Sequence, residues 1–112
     1  MEFSSVHTFV NTVMYTLLEW DEGKNQRNLQ KHGIDFSFAA ELFKYPHLVR
    51  LDTRDNYGED RWIAVGWMGA TIGVVVFTVV ENEDREVSIV RIVSARKASK
   101  NEVTLFEQQI KN

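Results

Sequence analysis

The sequence predicts a single α+β domain in which an antiparallel sheet is preceded by two helices and followed by one, in the order β-α-α-β-β-β-β-α. Three observations carry that prediction. Two stretches before residue 46 begin with capping aspartates. Everything from His47 to about residue 93 breaks into short β-branched segments separated by polar or Gly-containing turns, and Ser99-Lys100-Asn101-Glu102 has the form of a helix-opening capping box. At 112 residues, with 44% hydrophobic residues including seven Phe, three Trp and three Tyr, the chain can bury one core and is too short for two.

Residues 1–13 show no clear period, and Met14 is followed directly by the strand-like Tyr15-Thr16-Leu17-Leu18-Glu19-Trp20. Residues 1–13 are therefore expected to be an extension upstream of a true start at Met14, with 14–112 forming the domain. Asp21 can take a free amide of the next turn, and Gly33 suits the left-handed position just past a helix end, so the first helix is expected over 21–32. Between its ends only Leu29 is apolar, so the helix lacks the stripe that normally holds a helix on a core. In the second helix, capped by Asp35, Phe36, Ala39, Ala40 and Phe43 fall at the spacing of one buried face before Pro46 stops it.

Extended segments follow at roughly 48–53, 61–68, 71–80 and 87–93, read as an antiparallel meander. Residues 71–80 are apolar on both alternating faces, which marks a central strand covered on each side. In the last helix Val103, Phe106 and Ile110 repeat at helical spacing.

Composition excludes several function classes. There is no cysteine, hence no disulfide, thiolate nucleophile or Cys-based zinc site, and His7, His32 and His47 are too scattered for a metal site. No metal or cofactor is expected. The N-terminus carries an acidic residue where an export signal carries positive charge, and no apolar run could span a membrane, so a cytoplasmic location is expected. The formal charge of −3 counts against a nucleic-acid binder, but its distribution is uneven. Acids crowd into Glu59-Asp60 and Glu81-Asn82-Glu83-Asp84, while cations gather in the first helix and around 96–100, which leaves room for a basic face.

On the first helix Lys24, Arg27 and Lys31 lie within about 60° of one another around the axis. They are either a solvated face or a site for an anionic partner. His32 sits at the helix C-terminus, where the dipole favours the protonated imidazole; it either serves there as a general acid or phosphate contact, or simply caps the helix. Arg91 stands in an apolar row of the last strand and must snorkel outward, pair with an acid, or face a site. Arg96, Lys97 and Lys100 lie where a helix begins, the unfavourable end of its dipole for cations, which suggests a bound phosphate. The rival reading is an Arg96 paired with Glu102 or Glu107. Arg61 starts the strand after the acidic loop, and Trp20, Trp62 and Trp67 could each stack a base for roughly 1 to 3 kcal/mol, Trp62 being the one expected to be exposed.

Trp20-Asp21, Lys24, Asn28, Lys31-His32-Gly33, Phe36 with Ala39-Ala40, Arg61 and the run Arg91-Ile92-Val93-Ser94-Ala95-Arg96-Lys97-Ala98 together resemble the BrnT family of bacterial type II toxins. The resemblance spans about residues 17–107. It implies a RelE-like fold, a ribonuclease that needs no metal and arrests growth, and a BrnA-like antitoxin that neutralises it and, bound to it, represses their operon. Operator DNA would be met only through the antitoxin, and two toxins would be bridged by a dimeric antitoxin. On this reading RNA lies across the sheet. Its own 2′-OH is the nucleophile, His32, Arg91 and Arg96 are the catalytic candidates, and Lys24, Arg27, Lys31, Arg61, Lys97 and Lys100 hold phosphates. No carboxylate stands out as the base. The alternative is a non-catalytic module that binds nucleic acid or an acidic protein through the same basic face.

Overall fold

The structure, a computed structural model, describes residues 5–7, 15–82 and 87–111. Its elements are β1 (Ser5–His7), β2 (Tyr15–Trp20), α1 (Glu22–His32), α2 (Phe36–Ala39) continuing into a 3-10 turn (Ala40–Lys44), β3 (His47–Leu51), β4 (Trp62–Met68), β5 (Thr71–Asn82), β6 (Val87–Lys97) and α3 (Lys100–Lys111). The strands form one six-stranded sheet in the order β1-β3-β4-β5-β6-β2.

The expected α+β class and the order of elements from β2 onward hold. Met14, most of residues 1–13, and the acidic run beyond Asn82 lie outside the described residues. Within that leader, however, Ser5–His7 pairs antiparallel with β3, a strand that the unpatterned leader does not predict. The all-antiparallel expectation is corrected at one edge, where β2 runs parallel to β6. The connections between β3, β4, β5 and β6 are at most ten residues long, too short for the crossover that parallel neighbours need, so these strands pair antiparallel. β2 reaches β6 only after the chain has passed through both helices and three strands, and is free of that constraint.

Helix α1 begins and ends as its sequence dictates. The Lys24 amide donates to Asp21 Oδ2 at 2.9 Å, and Gly33, at φ 72°, lets its N–H reach the Leu29 carbonyl at 2.8 Å. The second helix keeps its predicted buried face at Phe36, Ala39 and Phe43, but only one turn is α-helical before it tightens to 3-10 and stops at Pro46.

The sheet has two differently covered faces. On one, α2 and the 3-10 turn bury Phe36, Ala39, Leu42 and Phe43 against Val49, Ala64, Val75, Phe77, Val90 and Ile92, with Trp20 and Trp62 packed at the margin. On the other, Phe106 of α3 packs with Leu48, Ile63, Val65, Val74 and Val76. Since α3 lies across β3 and β4, it covers only part of this second face. Toward β6 and β2 the same face runs on uncovered, with Leu17 55% exposed and Val80 43% exposed. A bulge in the β5–β6 pairing, where Val76 faces Ser94 but Phe77 faces Ile92, makes Val93 the extra residue. It lets Ile92 and Ala95 share the helix-covered core while β6 continues to Lys97, four residues beyond the expected end.

Candidate functional site

Beside the part under α3, the second face is polar along one row, buried at Thr78 in its middle and exposed at Arg91 and Glu19. In a sheet, directly paired residues point to the same side and alternate residues of a strand return to it. Val76 belongs to this face, hence so does Thr78; Thr78 pairs with Arg91, and Arg91 pairs with Glu19. Arg61, one residue before the Trp62↔Phe77 pair, extends the row toward the loop after β3. Arg61, Thr78, Arg91 and Glu19 thus line up across four neighbouring chain segments.

Of the three fates open to Arg91, pairing with an acid is realised. Nη2 lies 2.7 Å from Glu19 Oε1, and Nε donates to that same oxygen at 2.8 Å. Both contacts converge on Oε1, so among the described residues Glu19 Oε2 has no hydrogen-bond partner. The pair is open, with side chains 53% and 44% exposed. At the other end of the row the Arg61 guanidinium stacks on Tyr57 at 4.1 Å, and its buried Nε has no hydrogen-bond partner among the described residues.

Five residues further along β6 lies a second arginine–carboxylate pair of different character. Arg96 grips Glu102 with both Nη atoms, at 2.8 and 2.9 Å. That carboxylate also takes the Ser99 amide at 2.7 Å, while the Glu102 amide donates to Ser99 Oγ at 3.2 Å, completing the predicted capping box. The Arg96 guanidinium, then the Ser99 amide, hold Glu102 down at about 2, and burial opposes them. Glu102 in turn raises the affinity of Arg96 for its proton. The anion that offsets this cation is therefore the chain's own carboxylate, which is the rival reading of Arg96. Arg96 and Lys97 belong to β6 and Lys100 opens α3; Lys97 and Lys100 are exposed.

The problem posed by α1, a helix without an apolar stripe, is solved by asparagine. Leu29 is 39% exposed, and the buried residues are Asn25 and Asn28. Asn25 Oδ1 accepts the Phe36 amide at 2.8 Å. Asn28 accepts the Ala95 amide at 3.0 Å and donates to the Ala95 carbonyl at 2.9 Å and the Ile34 carbonyl at 2.9 Å. The last β2–β6 pair is Trp20↔Ile92. Beyond it, the Asn28 amide occupies the edge of β6 as a further strand residue would. That docking leaves Lys24, Arg27, Lys31 and His32 all exposed.

Several neighbours of the row are not among the residues singled out from the sequence. Arg50, on β3, is buried and donates from Nη1 to the Leu51 carbonyl at 3.3 Å. Arg54 folds onto Asp52 through Nε and Nη2, both at 2.8 Å, and holds that buried carboxyl at about 2. Its charge is also felt at Arg96. Arg50 interrupts an apolar run as Arg91 does, and that was the available signal; Glu19, in an exposed edge strand, gave none. The tryptophan expectation is corrected: Trp62 is half-buried against the core under α2, whereas Trp67, on the α3 side of β4, is exposed and packs edge-on against Phe106. Among the described residues, no three His, Asp or Glu side chains gather as a metal site requires, and no helix is long and apolar enough to cross a membrane.

The described residues thus form a mixed sheet with Arg61 and Arg91 in one row of one face and the exposed cations of α1 docked beside β6. Residues 20–102 match the family model described as the ribonuclease toxin, BrnT, of type II toxin-antitoxin systems. The chain belongs to that family, and the description makes its members ribonuclease toxins. A comparison with curated proteins gave no match.

Proposed function

We propose that this chain is a metal-independent endoribonuclease of RelE-like fold, with 14–112 as its catalytic part and β1 added at the sheet edge, that acts in the bacterial cytoplasm and arrests growth. Single-stranded RNA lies across the uncovered sheet face with its backbone against Arg91 and Arg61. Lys24, Arg27, Lys31 and His32 hold the strand along α1, and Lys97 and Lys100 hold it at the end of β6. Arg96 sets the start of α3 through Glu102 and so positions the two lysines. The observation that carries the reading is the Arg61–Thr78–Arg91–Glu19 row: a guanidinium whose ion-pair partner is solvent-exposed can turn donors toward a phosphate with little loss of stability, because exposed pairs contribute only ~0 to 1 kcal/mol. The charge that builds on the phosphorane during 2′-OH attack is what such donors stabilise.

A BrnA-like antitoxin neutralises the toxin, two toxins are bridged by an antitoxin dimer, and operator DNA is met only through that antitoxin in co-repression of the operon. His32, exposed at the end of α1, is assigned a backbone contact here and not the catalytic role, since α1 is docked on β6 through Asn28 at Ala95. The test is incubation of the purified full chain with single-stranded RNA in the presence of chelator. Cleavage to fragments with 2′,3′-cyclic phosphate ends, lost in Arg91→Ala, is the expected result. Salt-sensitive binding without scission would establish the non-catalytic module instead.

A further inference from the structure

We propose that Glu19 is the general base of the cleavage reaction, an inference that rests on the ribonuclease reading above. Attack by a ribose 2′-OH needs an acceptor for its proton next to the group that holds the phosphate. Arg91 is more exposed than Arg96, the other ion-paired arginine of β6, and the carboxylate beside it is Glu19, at 2.7 Å. The register fixes this neighbourhood: Glu19 and Arg91 are direct partners in the parallel β2–β6 pairing. Backbone pairing, not a flexible loop, therefore sets the spacing.

The arrangement of oxygens suits the task. Arg91 Nε and Nη2 both address Oε1, which orients the carboxylate and, among the described residues, leaves Oε2 without a hydrogen-bond partner on a side chain that is 44% exposed. Contrast Glu102, whose two oxygens are both engaged by Arg96 and whose Oε1 also takes the Ser99 amide. The Glu102 side chain is largely buried and fully used; that of Glu19 is exposed and half-used. Among the described residues of the row, Arg61, Thr78 and Arg91 carry no carboxylate, so Glu19 is its sole carboxylate base.

The step runs as an in-line transesterification. The 2′ oxygen bonds to phosphorus as its proton passes to Oε2 of Glu19. The bond from phosphorus to the 5′ oxygen breaks, and that oxygen takes the electron pair and a proton from solvent water, which reaches the open face. The products are a 2′,3′-cyclic phosphate and a 5′-hydroxyl, and Glu19 returns its proton to solvent. Arg91, with Arg61, holds the non-bridging oxygens throughout.

The experiment measures kcat on an RNA oligonucleotide, and Kd for the same oligonucleotide made uncleavable by 2′-O-methylation, for the full-length wild type, Glu19→Gln, Glu19→Asp and Glu19→Ala. Glu19→Gln is expected to lose at least about 100-fold in kcat while Kd stays unchanged or tightens, because a negative charge next to the phosphate is gone. Glu19→Asp is expected to keep more activity than Glu19→Gln, and formate added to Glu19→Ala to restore part of it. A residue that only positioned Arg91 would weaken binding along with cleavage and would not answer to formate. Wild-type cleavage accompanied by a Glu19→Gln kcat within threefold overturns this inference and leaves the ribonuclease reading standing. A wild type that cleaves no RNA overturns both. If Glu19→Gln fails to fold, Glu19→Asp and the formate response of Glu19→Ala decide by the same criteria.

Discussion

Two arginine–carboxylate pairs lie five residues apart on β6, and their surroundings assign them different work. Arg96–Glu102 is bidentate, and its carboxylate side chain is only 14% exposed and closes a helix cap. Arg91–Glu19 meets at one oxygen, with both side chains about half exposed. The first joins the end of β6 to the start of α3, so breaking it leaves a largely buried charge without its partner, which is costly. The second joins two strands that are already hydrogen-bonded, so it adds little to stability. Chemistry is expected where the pair can be opened, and structure where it cannot.

The largest expected effect separates the two arginines by activity. Arg91→Ala should lower cleavage at least about 100-fold, equivalent to about 2.7 kcal/mol of transition-state stabilisation, with unfolding free energy changed by less than about 0.5 kcal/mol. Denaturant unfolding and single-turnover cleavage on the same preparation measure both. If Arg91→Ala instead unfolds the protein and spares cleavage in what remains folded, the assignment of the two pairs is reversed.

Next comes stability. Arg96→Ala and Glu102→Gln should each cost about 2 kcal/mol, from loss of charge-assisted hydrogen bonds and of part of the cap. Any fall in cleavage should follow the fraction unfolded. Asn28→Ala should match or exceed this, at about 3 kcal/mol, because it strands the Ala95 amide and carbonyl and the Ile34 carbonyl without their partner.

That asparagine also marks where the sequence stops being legible. Caps, turns and apolar periods act locally, so the ends of α1, the capping box of α3 and the central, doubly covered β5 could be read directly. The odd polarity of α1 could be seen, but its resolution could not, since Asn28 finds its partner 67 residues away. The same holds for the site. Arg91 announces itself as a cation in an apolar row, but Glu19 acquires meaning only from a parallel pairing that no local pattern encodes. Arg96 drew attention for sitting near a helix start, yet the bulge at Val93 carries the strand on to Lys97 and turns Arg96 toward Glu102.

Acid should narrow the difference between the pairs. Glu102 titrates at about 2 in the folded chain against an ordinary 4.5. A depressed carboxylate contributes its full stability above the ordinary value and loses it as pH falls through the folded one. The stability gap between wild type and Glu102→Gln should therefore be full at pH 7, shrink from about pH 4.5 downward, and be nearly closed by about pH 2. Urea unfolding across that window measures it. A gap that persists undiminished at pH 2 would mean that Glu102 acts through packing and not through its charge.

The smallest effect concerns the cations outside both pairs. Lys24, Arg27 and Lys31 are exposed and take part in none of the described ion pairs. If RNA follows α1 beside the sheet, each holds a phosphate by charge alone. Each alanine substitution should then weaken binding modestly and reduce the salt slope by about 0.7, the value for one single-strand phosphate contact. Because these contacts are uniform along the backbone, kcat at saturating RNA should stay near wild type, unlike Arg91→Ala. An unchanged salt slope in the triple substitution would remove α1 from the RNA path and confine the interface to the open sheet face.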